Sequence, residues 1–268
     1  MTGTPDIQFF TASFAVYIAA LALFLAHGFF RRPLLGWAAA GAIALGAASQ
    51  TIALGLRWSL SGRPPLASMF EFASVVSWMA AWSLFWLVAR TRRFDIGSYA
   101  APLILGMMAV ASLLPREIQE QLVPALQSYW LYIHVSMAAL SEGAFALACG
   151  LSIAYLVKAR RGAAREDELA RLDALTHRVI AIGYPLFTLG ALFAGAIWAY
   201  HAWGTFWSWD PKEVGSWIIW LFYTGYLHAR HRRGWAGRRA AWLSIVGFVM
   251  IVLSFVGNLF LGGQHAYG

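Results

Sequence analysis

Residues 240–262 read AAWLSIVGFVMIVLSFVGNLFLG, a run with no charged side chain that follows directly on Arg238 and Arg239. An α-helix rises 1.5 Å per residue, so about 20 apolar residues cross a hydrocarbon core of about 30 Å. This stretch is long enough to do so. Seven runs of the same kind precede it, at about 9–30, 34–56, 70–89, 98–114, 129–157, 179–200 and 214–230. Charged residues make up 12% of the 268 positions, about half the share in a soluble domain. The expected fold is all-α: a polytopic membrane helix bundle of about eight transmembrane helices, with residues 1–268 forming a single integral-membrane domain.

The net charge of +8 is a matter of topology and not of nucleic acid. With the N-terminus outside, eight spans leave Arg31 and Arg32, Arg90, Arg92 and Arg93, Lys158 to Arg178, and Arg230 to Arg239 in the inner loops. Those loops hold sixteen of the twenty basic residues, and only Arg57, Arg63, Arg116 and Lys212 fall outside. Basic residues are retained on the cytoplasmic side, so both termini are expected on the outer, periplasmic face of the cell membrane. MTGTPDIQ has no basic n-region and no cleavage site, so residues 9–30 read as a retained span. The single cysteine, Cys149, lies inside the fifth span and reads as a small apolar residue.

Three outer segments connect the spans: 57–69, 114–128 and 200–213. In 114–128, Ile118, Leu122 and Leu126 recur every four residues, which predicts an interfacial amphipathic helix broken near Pro124. On the inner side, REDELARLDAL (165–175) places Leu169, Leu172 and Leu175 at helical spacing and predicts a short surface helix.

The segment 200–213 contains WGTFWSWD (203–210). Trp198, Trp203, Trp207, Trp209, Trp217 and Trp220 crowd into one short stretch of chain. Interfacial belts explain one or two tryptophans per helix; this density suits a platform for a large, flat, apolar ligand. Asp210-Pro211-Lys212-Glu213 carries an N-cap, a first-turn proline and a capping-box glutamate, so it should start the seventh span. The positive end of that helix, with Lys212, would then favour an anionic group.

Histidines supply the candidate ligands. His177 and His231 lie in basic inner loops and read as solvated. His134 starts the fifth span on the outer side and His265 follows the eighth, so these two can pair. His228 lies 14 residues past Val214, about 21 Å deeper, and His27 is likewise near the inner end of its span; neither can share an iron with the outer pair. Trp217, Leu221, Thr224 and His228 share one helix face, and Ser254, Asn258, Gly262 and His265 another. Helix packing explains such stripes equally well. Glu142, in the middle of the fifth span, must be protonated or paired.

WGTFWSWDPKE resembles the tryptophan-rich WWD signature of the CcsA (ResC) family of cytochrome c biogenesis proteins, system II. SGRPPLASMFE (61–71), SYWLYIHVSMAALS (128–141), GYLHAR (225–230) and GNLFLGGQHAYG (257–268) resemble that family's other segments in order, covering the chain from about residue 57 onward. The sequence departs from the family at Val214-Gly215, where Thr-Trp is usual, at Glu142, where an aromatic is common, at Ser68, where Asn is expected, and at His201.

The resemblance implies that the chain handles haem b (iron protoporphyrin IX). Trp203, Gly204, Phe206, Trp207, Trp209 and Asp210 would form the outer haem platform, with His134 and His265 as axial ligands and His228 as an intramembrane ligand. His27, His201, Lys212, Asn258 and Glu71 are further candidates. It also implies a membrane partner, CcsB (ResB), and a thioredoxin-like protein that keeps thiols reduced. The Cys-x-x-Cys-His thiols of apocytochrome c would add to the haem vinyl groups. No side chain reads as an acid–base catalyst, so any synthase activity would come from positioning. The competing expectation is a b-type electron-transfer cytochrome holding two haems, one between His134 and His265 and one between His27 and His228.

Overall fold

The computed structural model describes residues 4–118, 122–162 and 165–261, and among these all regular structure is helical. Eight long rods occupy the predicted spans: α1 (Pro5–Phe30), α2 (Pro33–Ser61), α3 (Met69–Thr91), α4 (Gly97–Leu113), α5 (Tyr129–Arg161), α6 (Glu166–Phe187) continuing through a π-helical stretch into α7 (Gly195–Trp203), α8 (Pro211–Arg232) and α9 (Arg238–Phe260). Seven of them are long and apolar enough to cross a membrane. The eighth, α8, has the length, but its tyrosines, tryptophans and histidines dilute its hydropathy. The chain is a multi-pass membrane protein.

Two compact units make up the chain, Met1–Glu120 and Gln121–Gly268. In the first, α1 packs on α2 and α4, and α3 on α2 and α4. Its polar interior is substantial. Arg57 of α2 is 2% exposed; its guanidinium pairs with Glu71 at 2.8 Å and Asp6 at 3.2 Å. Arg63 pairs with the other Glu71 oxygen at 3.1 Å. Two acids thus face two arginines, which is how buried charge is tolerated. Glu71 also closes a capping box with Ser68 at the start of α3, so serine does here what the expected asparagine would do.

The amphipathic helix expected over 114–128 does not form among the described residues; the only regular structure there is a 3₁₀ turn at Pro124–Leu126. Arg57 gives the physical reason. Its guanidinium takes the carbonyl oxygens of Arg116 and Glu117 at 3.0 and 3.2 Å, oxygens a helix would have to satisfy along its own axis.

In the second unit α5 is central, packing on α6, the π-helical stretch, α7 and α9. The short surface helix expected at REDELARLDAL is instead the beginning of one continuous rod, Glu166–Trp203. Leu172, Thr176, Ile180, Gly183 and Phe187 form its buried stripe, so the packing face runs on without a break. Asp173 on the same segment binds Arg230 at 2.5 and 2.9 Å and the Gly237 amide at 2.9 Å. It thereby holds the end of α8 to the start of α9, while Lys158 of α5 pairs with Glu168 of α6.

Candidate functional site

The rod Glu166–Trp203 loosens where the site begins. Pro185 withdraws one N–H from the ladder, and residues Thr188–Ala194 follow as a π-helix, a wide turn frequent at functional sites. The Gly195 amide donates to the Gly190 carbonyl across this turn. The same carbonyl lies 2.9 Å from Nδ1 of His134 on α5. A carbonyl can only accept, so Nδ1 carries the proton and Nε2 keeps its lone pair. Metal-ligating histidines are fixed in this way, by donating the other ring N–H. Two glycines make room: a Cβ at Gly190 would fall 2.2 Å from Cβ of Met137, and one at Gly195 only 2.9 Å from the His134 ring.

From His134 an aromatic chain leads to the loop. Its ring stacks on Trp198 with centroids 5.7 Å apart and planes within 7°. Trp198 is 2% exposed, is held by a 2.8 Å hydrogen bond from Nε1 to the Ala125 carbonyl, and meets Trp203 edge-on at 4.9 Å. Beyond α7, Phe206 stacks on Tyr200 at 4.5 Å. Trp209 stands edge-on between Trp207 at 5.8 Å and Trp217 at 6.3 Å.

Trp209 is 67% exposed and has φ of 62°, a left-handed conformation costing a non-glycine residue about 1–2 kcal/mol. Its neighbours impose it. Glu213 accepts from the amide of Ser208 at 2.7 Å and from that of Asp210 at 3.2 Å, pinning the backbone on both sides. The expected Asp210–Glu213 capping box is present at the start of α8, and it also braces an exposed tryptophan in a strained pose. Such strain clusters at ligand sites. Phe206 and Trp217 are exposed too, Trp203 and Trp207 partly, and Gly204 ends α7 at φ 81°. Of the six platform candidates, Trp203 closes α7, Gly204, Phe206, Trp207 and Trp209 lie in the loop, and Asp210 is buried as the N-cap of α8.

The other candidates fall elsewhere. His265, like Gly262, lies outside the described residues. His228 is exposed on α8, on the face it shares with Trp217 and Leu221. His201 is exposed beside Tyr200. Asn258 is buried on α9. Ser254 of the same stripe fills the space left by Gly215, where a Cβ would lie 2.0 Å from its hydroxyl; the departure from Trp at this position permits that close packing. Lys212, in the first turn of α8, is close enough to feel the charges of Glu142 and Asp210. Glu71 belongs to the buried ion cluster of the first unit. His27 bonds the Arg32 carbonyl through Nδ1 at 2.9 Å and rests on Phe94. His177 is not a solvated loop residue: it lies in α6, partly buried, with its ring 5.3 Å from that of His231.

A family model described as cytochrome c assembly protein matches residues 58–265. Cytochrome c biogenesis protein CcsA of Guillardia theta is 38% identical over 255 residues, covering 85% of this chain and 84% of that one. CcsA of Gloeobacter violaceus is 35% identical over 319 residues, covering 96% and 94%.

The chain belongs to the cytochrome c assembly protein family, among the CcsA proteins.

Among solved structures, cytochrome c haem lyase CcmF aligns with a TM-score of 0.66 at 18% identity, covering 98% of this chain and 49% of that one. That likeness is one of fold, and this chain spans about half of that larger protein. The family match takes in the whole of the loop, α8 and α5. What the sequence patterns missed is the π turn, the stacking of Trp198 on His134 and the bond from the Ser208 amide to Glu213. The π turn's trace in the sequence is the spacing of Gly190 and Gly195, five residues apart, the period of a π-helical hydrogen bond.

Proposed function

We propose that this chain serves cytochrome c maturation by holding haem on the 203–210 platform and presenting it to an apocytochrome. The observation that carries this reading is His134: its Nδ1–H is committed to Gly190, so Nε2 remains as a ligand, and its ring adjoins the tryptophans that lead to the exposed loop. Exposed Trp209, Phe206 and Trp217 suit a flat apolar ring system, whereas an electron-transfer haem buried between helices requires no open shelf.

In this reading His134 and His265 are the outer axial pair, the platform side chains and Asp210 orient the ring, and His228 serves haem within the membrane. Haem b is the substrate. Each cysteine thiol of the apocytochrome adds across a vinyl group; an S–C bond forms, the thiol hydrogen passes to the other vinyl carbon, and no net electrons move. The chain's contribution is placement, which is worth several kcal/mol. A CcsB-type membrane subunit, a thioredoxin-like reductant and the outer face of the cell membrane as the location of the loop belong to the same proposal, and rest on the family resemblance.

The test is a reduced-minus-oxidised visible spectrum with haem quantitation on the purified chain, beside His134→Ala/His265→Ala. Haem bound by the parent and lost from the variant is the expected result. Full haem in both overturns the outer-pair assignment. Two haems retained unchanged through turnover would favour the electron-transfer cytochrome.

A further inference from the structure

The bond from Nδ1–H of His134 to the Gly190 carbonyl, 2.9 Å long, fixes where Nδ1 lies but not the plane of the ring. A hydrogen bond weakens steeply only below about 120°, so the imidazole can still rock about the line from Cβ to Nδ1. The atom that such rocking swings furthest is Nε2, the one left to meet iron. The plane is set from α7. Gly195 and Trp198, three residues apart, share a helix face, and both meet the imidazole. A Cβ on the first would fall 2.9 Å from Cε1 and Nδ1, and the indole of the second lies parallel to the ring within 7°, centroids 5.7 Å apart.

Trp198 is itself held. Its indole N–H can only donate, and it donates at 2.8 Å to the carbonyl of Ala125, a residue 73 positions earlier in the chain. Ala125 sits in the 3₁₀ turn Pro124–Leu126. Pro124 locks one φ angle there. The Leu126 amide bonds the Val123 carbonyl at 2.9 Å, that of Gln127 bonds the Pro124 carbonyl at 3.1 Å, and Leu126 is 2% exposed. The turn is thus a fixed anchor on the outer segment.

We infer that Trp198 is a positioning residue for the haem ligand: its stack holds the plane of the His134 imidazole, and the turn Pro124–Leu126 holds Trp198. This assignment rests on haem ligation by His134 as proposed above. An indole that only filled space would need neither a directed acceptor for its N–H nor a parallel partner. Groups that orient a metal-bound histidine from behind typically change metal affinity 10–100-fold when removed. Here one such group is the Gly190 carbonyl, and the second is an aromatic plane anchored in a segment that is distant in the sequence.

The experiment compares the full chain with Trp198→Phe, Trp198→Leu and Pro124→Gly, each purified and loaded with haem. Phenylalanine keeps a ring to stack and loses the N–H, leucine loses both, and Pro124→Gly loosens the turn while leaving both rings in place. Haem should leave Trp198→Leu for apomyoglobin about tenfold faster than it leaves the parent. The low-spin ferric electron paramagnetic resonance signal should broaden as the imidazole plane loses its restraint. The other two variants should fall between. Identical transfer rates and signals in parent and Trp198→Leu overturn the assignment, and Trp198→Phe and Pro124→Gly decide by the same comparison if the leucine variant does not fold. The haem-free chain supplies a readout of its own: by nuclear magnetic resonance, the His134 ring N–H should exchange with solvent faster in Trp198→Leu or Trp198→Phe than in the parent. If the parent binds no haem, or keeps it in His134→Ala, the haem reading falls. The exchange rates then decide alone, faster exchange supporting the positioning role and equal exchange overturning it.

Discussion

The proton on Nδ1 of His134 points at the Gly190 carbonyl, 2.9 Å away on the π-helical turn of the neighbouring helix. One irregular turn thus fixes the tautomer and the tilt of an imidazole on a regular one. The arrangement depends on Gly195, whose position leaves no room for a methyl group beside the ring.

Gly195→Ala should therefore act on the ligand more than on the fold. A Cβ at 2.9 Å from the imidazole forces that ring to move, because the helix backbone is the stiffer party. Overpacking of this kind costs about 1–3 kcal/mol, so the protein should still insert and purify. Its haem content or its low-spin visible spectrum should change, measured beside thermal unfolding of the same preparation. An unaltered spectrum at full stoichiometry would remove His134 from the ligand set.

Trp209 and Glu213 give two substitutions with different signatures. Trp209→Gly removes the exposed ring and relieves its left-handed backbone, so thermal stability should hold or rise by about 1 kcal/mol while haem retention falls. Glu213→Ala frees the Ser208 and Asp210 amides from a charged acceptor, each such bond being worth about 1.5–3 kcal/mol. Stability and haem retention should then fall together. Equal loss of membrane protein in both variants would mean that the loop serves packing alone.

Hydropathy made seven of the eight spans legible because burying apolar surface in lipid is decided residue by residue, without knowledge of neighbours. Caps are local in the same sense, and Asp210–Glu213 was readable from four letters. Contacts between distant parts of the chain are not local. Nothing near Arg57 in the sequence marks it as the hub that unwinds residues 116 and 117, and nothing near Leu172 distinguishes a surface helix from the first turns of a long rod. The π turn was hidden for a related reason: its hydrogen bonds depend on α5 pressing against Gly190.

Arg57→Ala should destabilise the first unit whether or not haem is present. It strips the countercharge from Asp6 and leaves Glu71 with Arg63 alone; breaking a buried pair in this manner costs about 3–5 kcal/mol. Glu71→Gln, which keeps shape and some hydrogen bonding, should cost less. Thermal unfolding of haem-free protein is the measurement. A loss that appears only in haem-loaded samples would instead move Glu71 back among the haem contacts.

His228 separates a ligand that faces outward from one that packs inward. It is exposed on α8 together with Trp217 and Leu221, and substitutions at exposed positions usually change stability by no more than about 0.5 kcal/mol. His228→Ala should accordingly unfold at the parent's temperature. An outward imidazole supplies one coordination site, and a second must come from whatever covers that face. The variant should therefore match the parent in haem content when purified alone, and fall below it when the CcsB-type partner is co-expressed. Haem lost from the lone chain would show that α8 completes its intramembrane site from within this protein, and identical haem content with and without the partner would leave His228 no part in binding.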